Sequence, residues 1–152
     1  MLCAHFIFLY LDNDIASFSK HGDNNFYANL SKLECDVLLI FGNKDPWCTP
    51  SFAKRMLSSL KEREKDNNKK GLVQRYIELD NVGHCPNHEA PQAVGIVVKR
   101  WIENTVRRNG SLSLIDGNIE LVPEPWGDIS MREVPDEEAK LSLMEKLFTS
   151  MV

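Results

Sequence analysis

An α/β fold is the class this sequence predicts, and three observations predict it. The run Asp36-Val-Leu-Leu-Ile-Phe-Gly42 is continuously apolar, too short for a buried helix and closed by glycine, so it reads as a strand covered on both faces. Leu72 to Leu79, with Val73, Arg75, Ile77 and Leu79 alternating against mixed neighbours, supplies a second strand. Each strand is followed by a proline-containing loop and an amphipathic helix, and that order implies parallel strands joined by crossover helices.

Taken along the chain, Asn24 to Leu33 spaces Phe26, Leu30 and Leu33 four and three apart and predicts a short helix with one apolar edge. After the first strand, the loop Asn43-Lys-Asp-Pro-Trp-Cys-Thr-Pro50 leads into a helix over 51–60, where Phe52, Met56, Leu57 and Leu60 share a face. Lys61 to Lys70 contains no apolar residue and reads as a solvated helix end and loop. Beyond the second strand, Asp80 to Pro91 is a loop. The helix from about Gln92 to Arg108 is expected to bury Val94, Val97, Val98, Trp101, Ile102 and Val106 and to carry Arg107 and Arg108 at its C-terminal end.

The pattern changes after Asn109-Gly110. Two short apolar runs flank Asp116-Gly117, a pair that favours a tight hairpin turn, and Pro123 to Gly127 is expected to be irregular. Pro135-Asp-Glu-Glu opens a final helix, with Leu141, Met144, Leu147 and Phe148 along one stripe that packs back on the chain. The organisation expected is therefore an unassigned segment over 1–22, an α/β unit over 23–108 and a C-terminal extension over 109–152.

The 152 residues carry 18 Lys and Arg against 22 Asp and Glu, and a net charge of −4 offers no broad field for phosphate backbones, so nucleic acid is not the expected partner. The apolar run from Met1 to Leu11 is about half of what a bilayer crossing needs, so no transmembrane segment is expected, and it has neither the basic start nor the cleavage site of a signal peptide. Four scattered cysteines without a CxxC pair indicate neither a zinc module nor a disulfide scaffold.

In an open α/β sheet, functional groups gather in the loops beyond the carboxyl ends of the strands. Asp45 follows the first strand and His84 the second. A carboxylate that fixes the Nδ1 proton of an imidazole leaves Nε2 as a general base, which is the orienter and base of a catalytic triad. Each alone is weaker evidence, since a loop aspartate commonly caps a turn. No metal site is expected at His84, Cys85 and His88, because Pro86 prevents a helix that presents both histidines and no acidic third ligand has suitable spacing. Cys85 adjoins His84, and because adjacent side chains usually point in different directions it is not expected to act as nucleophile.

The segments CDVLLIFGNKDPWCTP and IELDNVGHCPNHEAPQAVGIVVKRWIE resemble the final strand-loop-helix pairs of the α/β-hydrolase fold, with a G-x-x-D-P loop and a G-H-x-P-x-x-E-x-P loop. The resemblance covers roughly 24–108 and is nearest to plant plastid-type members, the pheophytinase-like ester hydrolases. It implies a partial α/β-hydrolase fold, its last parallel strands with crossover helices, plus a C-terminal appendage. It implies Asp45 as triad acid, His84 as triad base, Trp47 on the pocket wall, and Pro86, Glu89 and Pro91 shaping the turn into the last helix. No cofactor is implied, the substrate would be a hydrophobic carboxylic ester, and a plastid location would follow from the likeness alone.

One departure matters. The family's nucleophile sits in a G-x-S-x-G elbow, and no two glycines here stand four residues apart. Ser51, Ser111 and Ser113 lack that context. The expectation is thus the acid-and-base part of a serine-type hydrolase, with a non-catalytic interaction or regulatory protein as the alternative. A sheet lacking its usual covering layers would expose Val37–Phe41 and Leu72–Leu79 and self-associate.

Overall fold

The computed structural model describes residues 24–66, 72–106, 113–123 and 125–139. In chain order the elements are helix α1 (Asn24–Leu30), strand β1 (Val37–Gly42), helix α2 (Pro50–Lys61) running into a 3-10 turn (Glu62–Lys65), strand β2 (Gln74–Leu79), short helix α3 (Pro86–Glu89), helix α4 (Pro91–Val106), strands β3 (Glu120–Leu121) and β4 (Ser130–Glu133), and a last turn of helix, α5 (Asp136–Ala139). The expected segment over 1–22, Ser111, and the stripe from Leu141 to Phe148 lie outside the described residues, as do Arg107 and Arg108.

The four strands form one mixed sheet in the order β1-β2-β4-β3. β1 and β2 are parallel as expected, in register from Val37 opposite Gln74 to Gly42 opposite Leu79. Alternation along them divides the core into two layers. Leu38, Ile77 and Leu79 face α4, packing with Ala93, Val94, Val97 and Trp101. Val37, Leu39 and Tyr76 face the other way, against Ala53, Met56, Leu57 and Leu60 of α2 and Leu30 of α1. The sheet is therefore covered on both faces, and the expectation that β1 and β2 expose apolar surface is corrected: Val37, Leu39, Tyr76, Ile77 and Leu79 are all at most 1% exposed. Self-association through an exposed sheet face has no support in this packing.

Four other expectations are corrected. The sheet is not parallel throughout, because the extension returns to it: β4 runs antiparallel to β2, pairing Glu78 with Arg132 and Leu79 with Met131, and β3 pairs with β4. Leu114, Ile115, Val122, Ile129 and Met131 thereby join the α4-side core. The turn of this ribbon runs through 122–129, where Val122 N–H donates to Ile129 O and Ile129 N–H to Trp126 O, both at 2.9 Å, and not through Asp116-Gly117. Gly117 does take a left-handed φ of 77°, but its neighbours are bends held by other groups: Glu133 accepts from Leu114 N–H, and Glu120 from Asp116 N–H.

Arg63, in a run expected to be solvated, is 1% exposed. Its guanidinium donates to Leu60 O, to Cys35 O at 2.6 Å and to Gln74 Oε1 at 2.7 Å. A planar fork with five donors can satisfy several carbonyls that no apolar side chain could. It thereby ties the end of α2 to the entries of β1 and β2, and burial holds its pKa below the usual arginine value. Finally, Ile102 is 45% exposed: Val94, Val97 and Trp101 already define the buried stripe of α4, and the next residue is turned about 100° away.

Candidate active site

Because β1 and β2 end level, at Gly42 and Leu79, the loops that follow leave the sheet at the same edge. They are docked on one another through backbone. Asn43 N–H donates to Leu79 O and Lys44 N–H to Val82 O, each at 2.9 Å. The approach is close enough that a Cβ on Gly42 would lie 2.2 Å from Val82 O, so glycine is required there by contact. Asn43 and Asp80 bond through their side chains, Asn43 Oδ1 accepts from Asn81 N–H, and Asn81 adopts a φ of 63°, a conformation that asparagine tolerates.

This docking brings Asp45 and His84 together. Asp45 is 5% exposed, and its Oδ1 accepts from the N–H groups of Trp47 at 2.8 Å and Cys48 at 2.9 Å, which fixes the carboxylate against its own turn. Its Oδ2 lies 2.8 Å from Nδ1 of His84. A carboxylate only accepts, so Nδ1 donates, and the neutral imidazole then has its lone pair on Nε2. Trp47, 62% exposed, meets the imidazole edge-on at 4.9 Å between ring centroids. All three residues singled out from the sequence are therefore in contact.

The histidine loop is held from below by a residue whose part the sequence showed only as motif. Glu89 accepts from Gly83 N–H at 2.7 Å and from Cys85 N–H at 2.8 Å, so one carboxylate clamps the backbone on both sides of His84. Pro86 starts the short α3 that carries it.

Sequence reasoning missed Cys48. Its thiol is buried, and burial together with the neighbouring Asp45 charge pushes its pKa up to about 11, so it is a neutral thiol and a poor nucleophile. Asp45, Cys48 and His84 each offer one donor atom, and these atoms lie within 4.8 Å of one another. Only their three-dimensional placement reveals the set. Ser113 belongs elsewhere: its hydroxyl bonds Ile115 O and Glu133, beside the entry end of β2, while His84 follows the exit end. Ser51 lies in the first turn of α2, and its hydroxyl bonds that of Thr49.

Fold and site define a mixed α/β protein with a carboxylate-imidazole pair at the carboxyl edge of two parallel strands. A curated protein that the chain resembles is the chloroplastic pheophytinase of Arabidopsis thaliana, 26% identical over 86 residues, which is 55% of this chain and 16% of the pheophytinase. The chain thus matches a small part of that relative's length, and the likeness supports a distant relationship and an α/β-hydrolase-like origin. No family model and no solved structure matches the chain. Among the described residues no helix is long and apolar enough to cross a membrane.

Proposed function

We propose that Asp45 and His84 are the acid and base of a serine-type α/β hydrolase acting on hydrophobic carboxylic esters. The observation that carries the reading is the 2.8 Å bond from His84 Nδ1 to a buried, backbone-fixed Asp45. In the reaction, Nε2 takes the proton of an attacking serine hydroxyl and returns it to the leaving alkoxide, while Asp45 holds the tautomer and stabilises the imidazolium. Trp47 offers an apolar wall beside the base. The 152 residues contain no G-x-S-x-G elbow, so the serine and the oxyanion donors lie outside them. The likeness to a chloroplastic relative also makes a plastid the location to examine first.

The missing elbow is also what favours a second reading, a non-catalytic regulatory protein in which the Asp45-His84 bond is structural. A chimera separates the two. Residues 24–108, which carry Asp45 and His84, replace the corresponding stretch of the Arabidopsis relative, and hydrolysis of an aryl ester is followed. Activity is expected to persist and to fall by about 10⁴ on Asp45→Asn and by about 10⁶ on His84→Ala within the graft. A folded chimera that is inactive, or active without regard to His84, would support the second reading.

A further inference from the structure

We propose that Asp45, Cys48 and His84 form a site for a zinc-class divalent cation, which takes the place of the proton shared by Asp45 and His84 and so switches the acid-base pair off. The site stands on its own geometry; only the switching rests on the reading of His84 as base.

One carboxylate oxygen, one sulfur and one imidazole nitrogen make a borderline donor set that suits Zn²⁺ in tetrahedral coordination. A single oxygen donor does not suit Ca²⁺ or Mg²⁺. Asp45 and Cys48 belong to one turn whose geometry is already fixed by the two N–H bonds to Asp45 Oδ1, so two ligands are held before any ion arrives. The donor atoms lie within 4.8 Å of one another. Tetrahedral zinc with bonds of about 2.0–2.3 Å holds its donors roughly 3.3–3.8 Å apart, so Asp45 Oδ2 and His84 Nδ1 part by about 0.5 Å from their 2.8 Å contact while the Cys48 sulfur closes by at most about 1.5 Å. The His84 side chain is 26% exposed, giving an ion a way in and a fourth position for water. Asp45 and Cys48 are both buried, and a divalent ion bound there compensates the carboxylate and the thiolate that forms as it binds.

The protons balance without any redox change. Cys48 gives up its thiol proton to solvent as sulfur binds the ion. His84 loses the proton on Nδ1, which bonds the ion, and carries one on Nε2 instead, so one proton is released for each ion bound. With Nε2 protonated, the imidazole can no longer accept a proton from a serine.

Co²⁺ alone, titrated into the purified 152-residue chain and displaced by Zn²⁺, tests this. Expected are tetrahedral cobalt bands with a thiolate-to-cobalt charge-transfer band, saturating at one ion per chain. Cys48→Ser and Cys48→Ala are both expected to weaken binding at least tenfold, with circular dichroism confirming that each folds; Cys85→Ser and His88→Ala should leave it unchanged. A charge-transfer band that survives both Cys48 variants or disappears with Cys85→Ser, or an octahedral spectrum without that band at millimolar Co²⁺, would overturn the site. The base reading is judged separately, from the His84 tautomer in metal-free protein. Correct tautomer without cobalt binding refutes the site alone, and cobalt binding with the wrong tautomer refutes the switch alone.

Discussion

Gly42→Ala puts one methyl group where two loops meet. The new Cβ would lie 2.2 Å from Val82 O, 2.3 Å from Gly83 O and 2.5 Å from the Val82 carbonyl carbon. Ordinary carbon-oxygen contact is about 3.3–3.6 Å, so the overlap is about 1 Å, and every atom struck is backbone that no rotamer change can move aside. Parting the loops by that much breaks the bonds from Asn43 N–H to Leu79 O and from Lys44 N–H to Val82 O, both 2.9 Å. Two lost backbone hydrogen bonds at about 1 kcal/mol each, with about 1–3 kcal/mol of overpacking strain, come to about 3–5 kcal/mol. For a chain of this size that lowers Tm by roughly 10–15 °C. The same shift separates Asp45 from His84, so the low-field imidazole proton should vanish. Gly95→Ala is the control: its Cβ would meet nothing within 4 Å, it lies inside α4, and the change should stabilise by about 0.5–1 kcal/mol. Thermal melts and proton NMR of the two variants decide the matter. A Gly42→Ala protein within about 1 kcal/mol of wild type, with the imidazole signal intact, would refute backbone docking as the cause of the pairing.

Arg63→Ala is expected to cost about 3–4 kcal/mol in urea unfolding, because it removes the bonds from the guanidinium to Leu60 O, Cys35 O and Gln74 Oε1 and opens a cavity; Arg63→Lys should recover less than half, and a cost below about 1 kcal/mol for Arg63→Ala would contradict the clamp. Stability should also fall on the alkaline side. Burial, reinforced by Asp45, raises the Cys48 pKa to about 11, and burial, reinforced by Glu78, raises that of Tyr76. Both groups stay neutral in the fold while the unfolded chain ionises them, so their contribution is complete below the unfolded values and is lost as pH rises from about 9 toward 11. Tm measured across that range should drop, Cys48→Ala should flatten the drop, and an unchanged slope in that variant would contradict the assignment.

The sequence was most informative where physics is local. The apolar run from Val37 to Phe41 and the two loops at strand ends announced β1 and the pair of Asp45 and His84, because strand order and loop position are set by nearby residues. What it concealed depends on distance. Strand β3 has two residues and strand β4 four, and β4 finds its partner more than fifty positions back, at Ile77 to Leu79, so no local periodicity marks the ribbon. Asp116-Gly117 carries the turn chemistry, yet the turn forms at 122–129, because the register of β4 on β2 is fixed by Met131 entering the core and by the ion pair of Arg132 with Glu78. A charged run hid Arg63 because its neighbours are indeed exposed; only the carbonyls converging from Cys35, Leu60 and Gln74 explain one buried member. Cys48 was silent because its significance lies in its closeness to His84, 36 positions later in the chain.

The proton between Asp45 and His84 distinguishes an oriented general base from an ordinary surface imidazole. Nitrogen-15 NMR of the metal-free chain, with His84 assigned through His84→Gln, reads the tautomer directly. The expected result is a proton on Nδ1, a bare Nε2, and a low-field Nδ1 proton resonance that disappears in Asp45→Asn while the circular dichroism spectrum is unchanged. A His84 protonated on Nε2 when neutral, or exchanging freely between tautomers as a solvent-exposed imidazole does, would contradict the assignment of His84 as a general base oriented by Asp45.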